Sequence, residues 1–234
     1  MGVLHLDLKK EIISTCLRLQ EIGYVLATYG NVSARVERGL IITPSRVAYR
    51  SLTPEDMVTV SYEGKIIEGP RQPSSELEVH RQIYLARPDV DAVVHTHSLF
   101  ATALSCRHET IPVIVEEQSQ VVGGEIHCTS YVPAGQHKKL GEAAVQALGR
   151  SNGVLLANHG AVSCGRSLPE AVLTCQIVER VAQIRLLAGT ADKAIPIPEE
   201  FVRSERERWL YKYGTAEDRA AEEPGPGHRG RIED

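Results

Sequence analysis

The chain has 234 residues, of which 42% are hydrophobic, and this is enough for one α/β domain with a substantial core. Its 26 Lys and Arg residues against 30 Asp and Glu give a formal net charge of -4, so nothing attracts nucleic acid or an anionic membrane to the chain as a whole. No apolar run approaches the roughly 18 residues of a membrane span, and the amino-terminal segment does not have the layout of a signal peptide. We therefore expect a cytoplasmic protein without a nucleic-acid or membrane partner.

Six segments of the chain have the features of helices. Residues 8–22 carry apolar side chains at helical spacing. Ser74 or Ser75 is the predicted N-cap of the second helix, and Ser167 with Glu170 has the spacing of a capping box. The predicted helices cover residues 8–22, 76–86, 98–104, 136–148, 167–187 and 199–213.

Short apolar runs bounded by turn residues predict the strands. Tight turns join residues 31–36 to 40–42 and residues 57–62 to 65–68, which is typical of two hairpins. The predicted strands cover residues 31–36, 40–42, 57–62, 65–68, 91–97, 113–115 and 154–157. Because hairpins occur together with strands that alternate with helices, the sequence predicts an α/β fold with three α/β/α layers and a central mixed sheet.

Residues 93–98 read Val-Val-His-Thr-His-Ser and place two imidazoles at the end of a predicted strand. Side chains alternate along a strand, so His95 and His97 face the same way and could form half of a metal site. Two histidines bonded to backbone or water are the alternative for this motif alone. His159 also follows a short apolar strand, so three imidazoles could hold Zn²⁺ or a similar ion if the two strands lie close together.

The segment Pro73-Ser-Ser-Glu76 has residues that suit an anion and a cation side by side. Hydroxyls at the start of a helix favour a phosphate, because the first backbone N–H groups are free there, and Glu76 could be a fourth metal ligand. A simple helix cap followed by a surface carboxylate is the alternative. Asn31 and Ser45 lie in two further turns that could contact a phosphate, although turns are commonly rich in such residues.

Five blocks, GNVSAR, ITPS, PSSE, VVHTHS and LLANHG, occur in this order along the chain. Together they resemble the class II aldolase/adducin family, most closely its fuculose-phosphate aldolase branch, over residues 8–190. The resemblance implies one catalytic domain, which we place at residues 1–213, with a mixed, largely antiparallel sheet. It also implies a homotetramer with active sites at subunit boundaries. The polar residues 214–234 are predicted to form a mobile tail.

The resemblance implies a role for each matching residue. The implied metal ligands are Glu76, His95, His97 and His159, and the implied phosphate ligands are Asn31, Ser45, Ser74 and Ser75. The implied ion is Zn²⁺, with Mn²⁺ or another divalent ion as alternatives. The implied reaction cleaves fuculose 1-phosphate, or a deoxy- or methylthio-pentulose 1-phosphate, to dihydroxyacetone phosphate and an aldehyde through a metal-stabilised enediolate. Glu76 would move the proton at C3, and His80, one helical turn later, is predicted to have a supporting or structural role.

Two positions depart from the pattern of this family. Arg46 stands where relatives often have glycine, and it either strengthens the phosphate contact or points outward. Where fuculose-phosphate aldolases place a tyrosine that reaches across the subunit boundary, this chain has Glu116 and Glu117. Glu117 is the second predicted catalytic residue, with a solvated acidic loop as the alternative. Tyr211 or Tyr213 could cover the site instead.

Relatives with other activities share the same metal ligands. Methylthioribulose-phosphate dehydratases and sugar-acid phosphate decarboxylases stay open as alternatives, because they are distinguished in the loop around Glu116. Ribulose-phosphate 4-epimerases are less favoured, since their aspartates near the positions of Glu76 and Gln120 are absent here. A non-enzymatic adducin-like scaffold is disfavoured by retention of all four metal ligands. We predict a lyase that acts on a small phosphorylated sugar.

Overall fold

The protein is described by a computed structural model that covers residues 4–189 and 194–213. The helices of these residues are α1 (Leu6–Glu21), α2 (Leu77–Ala86), α3 (Leu99–Ser105), α4 (His137–Leu148), α5 (Leu168–Leu187) and α6 (Glu199–Tyr211). The strands are β1 (Gly30–Val36), β2 (Gly39–Ile42), β3 (Val58–Ser61), β4 (Ile66–Glu68), β5 (Ala92–Thr96), β6 (His127–Cys128), β7 (Gly153–Leu156) and β8 (Gly160–Gly165). A π-helical turn covers Gln118–Val122.

All eight strands belong to one sheet, in the order β4-β3-β2-β1-β5-β8-β7-β6. Every neighbouring pair is antiparallel except β6 and β7. The predicted mixed, largely antiparallel sheet is therefore confirmed. At its centre Thr96, the last residue of β5, pairs with Ala161 near the start of β8. The carboxyl end of β5 and the amino end of β8 consequently lie at the same edge of the sheet.

Helices cover both faces of the sheet and produce the predicted three layers. Ala92 and Val94 of β5 pack against α1 and α5, and α3 lies beside α5 on the same face. Val93 packs on the opposite face, against α2 and α4. Because side chains alternate along a strand, His95 continues the Val93 face and lies on the side of α2.

Most predicted elements are confirmed with small shifts of their ends. The strand predicted at residues 113–115 is wrong: this segment is irregular, and Ile111 instead makes an isolated bridge to Ile126. The sequence did not predict β6 or β8. Residues 214–234, the predicted mobile tail, lie outside the described residues, and the single domain at residues 1–213 stays a prediction. Within the described ranges, no helix combines the length and apolar character that crossing a membrane requires.

Candidate metal centre and active site

Three imidazoles meet where two interior strands of the sheet, β5 and β8, pair. His95 lies on β5 opposite Val162, and His97 follows the end of β5. His159 immediately precedes β8. Since β5 and β8 run antiparallel, the residue that leaves one strand lies beside the residue that enters the other. The sheet register therefore brings His159 to His95 and His97, from which the sequence separates it by more than sixty positions.

The three imidazole rings are close enough to share one ion. Their potential ligand atoms all lie within 4.8 Å of one another. The Nε2 atoms of His95 and His97 are 3.0 Å apart, and the ring centroids of the three histidines are separated by 4.8 to 4.9 Å. Two ligands at the usual zinc–nitrogen distance in a tetrahedral site are about 3.3 Å apart. The spacing of these nitrogens therefore suits a small divalent ion.

Glu76 contacts two of the three imidazoles from the start of α2. Its Oε1 lies 2.9 Å from Nε2 of His159, and its Oε2 lies 3.1 Å from Nε2 of His95. Burial favours the neutral acid, but attraction to His95 in its protonated form, a hydrogen bond and attraction to His159 and a hydrogen bond from Asn31 outweigh it, so the pKa of Glu76 lies well below its usual range. Glu76 is therefore ionised at neutral pH.

Two of the three imidazoles, those of His95 and His97, have lowered pKa values, which favours the neutral form that binds metal. Burial is the main cause that lowers the pKa of His95, and it lowers the pKa of His97 to about 3 together with the nearby His95 and His159. Nδ1 of His95 donates to the carbonyl of Ala161 at 3.0 Å, so in the neutral ring Nε2 carries a lone pair. That lone pair faces a carboxylate oxygen of Glu76, an arrangement of two acceptors that a bound cation would relieve. The residues therefore fit a divalent metal ion.

The turn that places His159 before β8 is made by a different residue from the expected one. The sequence suggests that Gly160 makes the sharp turn, but Asn158 adopts the left-handed conformation, with φ 56°. Its side chain accepts a hydrogen bond of 2.6 Å from His108. Gly160 is needed for a close approach, because a Cβ there would lie 2.3 Å from the carbonyl oxygen of Thr96. The glycine therefore permits the contact between β5 and β8.

A cavity of about 550 Å³ opens beside the imidazoles. The predicted phosphate residues Asn31, Ser45, Ser74 and Ser75 all line it. An isolated bridge between Pro44 and Pro73 holds their two serine loops side by side. The hydroxyls thus converge on one volume next to the metal ligands.

The expected serine cap on α2 is not the observed one. Glu76 itself occupies the N-cap position and makes no capping bond with its side chain. The hydroxyl of Ser74 accepts from the backbone N–H of Glu76 at 3.2 Å, so it shapes the turn before the helix. Ser75 is exposed to the cavity. The side chain of Glu76 consequently stays free to point at the imidazoles.

Asn31 has a role in the structure that the sequence did not indicate. Its amide nitrogen donates to Oε2 of Glu76 at 2.6 Å. Asn31 is 4% exposed, and it still lines the cavity. It therefore connects the expected phosphate contacts with the carboxylate.

Residues 131–137 form a wall of the cavity that sequence reasoning missed. They belong to the loop before α4 and to its first residue, and Leu140 of the same helix also lines the cavity. The segment carries no recognisable motif. Only the packing of α4 against α2 brings it to the site.

The residues expected to act across a subunit boundary lie apart from this cavity. Glu116 and Glu117 are exposed just before the π-helical turn, and Tyr211 and Tyr213 are 75% and 56% exposed at the end of the described chain segment. In the part of the chain that the structure describes, none of the four lines the cavity. A contribution of Glu117 to a neighbouring subunit stays a prediction.

Comparison with known proteins identifies the family of this site. The profile of the Class II Aldolase and Adducin N-terminal domain matches residues 10–186. The chain belongs to the class II aldolase and adducin family. L-fuculose phosphate aldolase of Escherichia coli K12 is 35% identical over 190 residues, which are 81% of this chain and 87% of the relative.

Two further relatives agree with this assignment. The 5-methylthioribulose-1-phosphate/5-deoxyribulose-1-phosphate aldolase of Rhodospirillum rubrum is 36% identical over 218 residues, covering 92% of this chain and 95% of the relative. A solved L-fuculose 1-phosphate aldolase superposes with a TM-score of 0.83 at 31% identity, covering 88% of this chain and 97% of the other. The class II aldolase fold is thus shown along most of the chain.

Proposed function

We propose that this class II aldolase cleaves a ketose 1-phosphate between C3 and C4 to dihydroxyacetone phosphate and an aldehyde, in the cytoplasm. The observation that carries the proposal is the meeting of three imidazoles with an ionised carboxylate beside a cavity lined by hydroxyls. The names of the relatives from Escherichia coli and Rhodospirillum rubrum describe phosphorylated ketoses of this kind.

The imidazoles of His95, His97 and His159 would hold a divalent ion, with Zn²⁺ as the first candidate and Mn²⁺ as the second. We assign Glu76 as the residue that would be the fourth ligand, which its contacts with two of the three imidazoles support. A bound ion would supply a Lewis acid for the C2 carbonyl of the ketose while the C3–C4 bond breaks.

The phosphate of the substrate would bind between the two serine loops. Ser45, Ser74 and Ser75 offer hydroxyls there, and the amide of Asn31 has a second N–H besides the one given to Glu76. Holding the phosphate would fix C2 and C3 beside the imidazoles, so that the catalytic groups of the protein meet an oriented substrate. The phosphate thereby contributes to orientation as well as to affinity.

Two proton transfers are assigned to carboxylates. In cleavage, Glu117 of the partner subunit would take the proton of the C4 hydroxyl as that carbon becomes the aldehyde carbonyl. Because Glu76 is ionised before substrate binds, it would first take up a proton from water and then give it to C3, while Glu117 of the partner subunit would release its own proton to water. In condensation the ionised Glu76 would remove the proton of C3. This assignment requires the homotetramer expected for the family, with each site completed by a neighbour.

Product analysis tests the proposed reaction. The metal-loaded protein is incubated with L-fuculose 1-phosphate, 5-deoxyribulose 1-phosphate and 5-methylthioribulose 1-phosphate, and dihydroxyacetone phosphate is measured. We expect one equivalent of dihydroxyacetone phosphate for each equivalent of aldehyde, and none after a chelator removes the metal. Loss of water without carbon–carbon cleavage would overturn the proposal in favour of a dehydratase, and epimerisation at C4 or release of carbon dioxide from a sugar-acid phosphate would overturn it as well.

Replacement of Arg46 tests the phosphate site. Arg46 lines the cavity, is exposed, and has φ 59°, a conformation in which glycine is favoured. A charge-assisted hydrogen bond to phosphate corresponds to about tenfold in affinity, so we expect R46A and R46G both to raise KM about tenfold with little change in kcat. R46G should also be more stable than R46A by about 1 kcal/mol, because glycine tolerates this backbone conformation. Steady-state kinetics and denaturant unfolding measure the two effects, and an unchanged KM in R46A would show that the guanidinium points away from substrate.

A further inference from the structure

A buried row of polar side chains runs from Glu76 into the space between the sheet and α2. Asn31 and Ser33 lie two positions apart on β1 and face α2, whereas His80 and Tyr84 lie one and two helical turns after Glu76 on α2. The four inner residues are 4%, 0%, 0% and 1% exposed, in the order Asn31, Ser33, His80 and Tyr84. We call these five residues the Glu76–Tyr84 chain.

Each member of the Glu76–Tyr84 chain is bonded to the next. Asn31 donates to Glu76 at 2.6 Å, and its amide oxygen lies 2.5 Å from Nε2 of His80. Nδ1 of His80 lies 2.6 Å from the hydroxyl of Ser33, which lies 2.8 Å from the hydroxyl of Tyr84. The series is continuous from the core to the carboxylate.

The hydrogen atoms of this chain can be assigned in only one way. The amide nitrogen of Asn31 lies at Glu76 and donates to its carboxylate, so the amide oxygen faces His80. That oxygen only accepts, so Nε2 of His80 must carry a proton. Burial, followed by the nearby His95, lowers the pKa of His80 to about 3, so the ring is neutral and Nδ1 is a bare acceptor. Ser33 then donates to Nδ1, and Tyr84 donates to Ser33.

We propose that Ser33 and His80 are positioning residues that fix the orientation of the Asn31 amide and thereby the carboxylate of Glu76, whereas Tyr84 closes the far end of the chain and has no positioning role. This inference rests on the proposed function of Glu76. In the other tautomer of His80, a lone pair on Nε2 would face the amide oxygen of Asn31, and the repulsion would favour a flipped amide. A flipped amide would turn its oxygen towards Glu76 and push the carboxylate away.

The inner end of the Glu76–Tyr84 chain is closed to water. Ser33 and His80 are 0% exposed and Tyr84 is 1% exposed, so solvent does not reach the core end. Burial also raises the pKa of Tyr84 above its usual range. The chain is therefore suited to holding a geometry.

All hydrogen bonds of this chain have the same direction: in each of them the donor lies on the Tyr84 side and the acceptor on the Glu76 side. This common direction distinguishes the chain from isolated polar pairs in a protein core. Loss of the Ser33 hydroxyl, which bonds His80 directly, should therefore lower kcat more than loss of the Tyr84 hydroxyl.

Two hydroxyl deletions form a matched pair for the test. S33A removes the hydroxyl that donates to Nδ1 of His80. Y84F leaves that donor in place and removes only the Tyr84 hydroxyl at the far end of the chain. Each deletes one buried hydroxyl, so we expect both to lower the melting temperature by similar amounts. We expect S33A to lower kcat about 10-fold to 100-fold, as losses of residues that orient metal-site ligands do, with KM unchanged, and Y84F to change kcat less than about threefold.

The tautomer of His80 gives a readout that is independent of activity. Imidazole ¹⁵N shifts of the full-length, metal-free protein, assigned with H80F, should show a proton only on Nε2 in wild type and Y84F and a mixture of tautomers in S33A. A wild-type ring protonated on Nδ1, or S33A with wild-type tautomer and kcat, would overturn the positioning role. If no ketose phosphate is cleaved by wild type, the proposed function fails while the expected tautomers still support the chain.

Discussion

E76Q should lose at least about 10³-fold in kcat while it folds and melts like wild type. Glutamine has the size of glutamate and can keep the hydrogen bond from Asn31, but a neutral amide cannot take a proton from C3 or return it. Kinetics of dihydroxyacetone phosphate formation, circular dichroism and metal analysis measure the three properties. We expect most of the metal to stay bound, because three imidazoles remain.

The same substitution two residues later is the matched control. Glu78 also lies at the start of α2, where it pairs with Arg81 at 2.8 Å, and it does not line the cavity of the described chain. E78Q removes the same single negative charge near the start of the same helix. Because Glu78 does not line the cavity, this variant should keep wild-type kcat. Unchanged turnover in E76Q would remove Glu76 from its proton-transfer role, whatever the metal content.

H159A should lower the affinity for divalent metal by at least about 100-fold and abolish turnover. His159 is one of three imidazoles whose ligand atoms lie within 4.8 Å, and loss of one ligand leaves a two-histidine site. Metal titrations with Zn²⁺, Mn²⁺ and Co²⁺ measure the affinity. Bound metal should also raise the stability of wild type, by about 4 kcal/mol at a free concentration 1,000 times Kd, and this gain should vanish in H159A.

H127A is the control for the loss of an imidazole as such. His127 is exposed on β6 and lies outside the cluster. We expect about one metal ion per chain and a normal stabilisation by metal in this variant. Metal binding by H159A as tight as that of wild type would show that the ion binds elsewhere and would refute the three-histidine site.

The fold could be predicted where the sequence pattern is local. Prediction failed where burial on both faces removes that pattern. The β1–β2 and β3–β4 hairpins have turn residues between apolar runs, so their positions were correct. The strand β8 reads Gly-Ala-Val-Ser-Cys-Gly, and it is buried on both faces, so neither alternation nor a β-branched run marks it. Residues 113–115 are apolar and β-branched yet form no strand, because their neighbours pair through Ile111 instead.

Prediction of the candidate site also succeeded for local patterns and failed for contacts that depend on packing. The spacing of His95 and His97 and the turn before Gly160 are visible in the sequence, and the structure brings these imidazoles together. The contact of Asn31 with Glu76 and the burial of His80 depend on how β1 packs against α2, which no local spacing encodes. Residues 131–137 reach the cavity for a similar reason. The candidate ligands and a supporting or structural role of His80 could therefore be predicted from spacing, whereas the contact of Asn31 with Glu76 could not.

The pairing of Thr96 with Ala161 has a consequence for how the imidazoles respond to local opening of the sheet. The histidines lie on or next to β5 and β8, two interior strands that are flanked by β1 on one side and β7 on the other. Fraying of an outer edge would therefore leave this ladder intact. Amides of β5 and β8 should accordingly be among the slowest to exchange with deuterium.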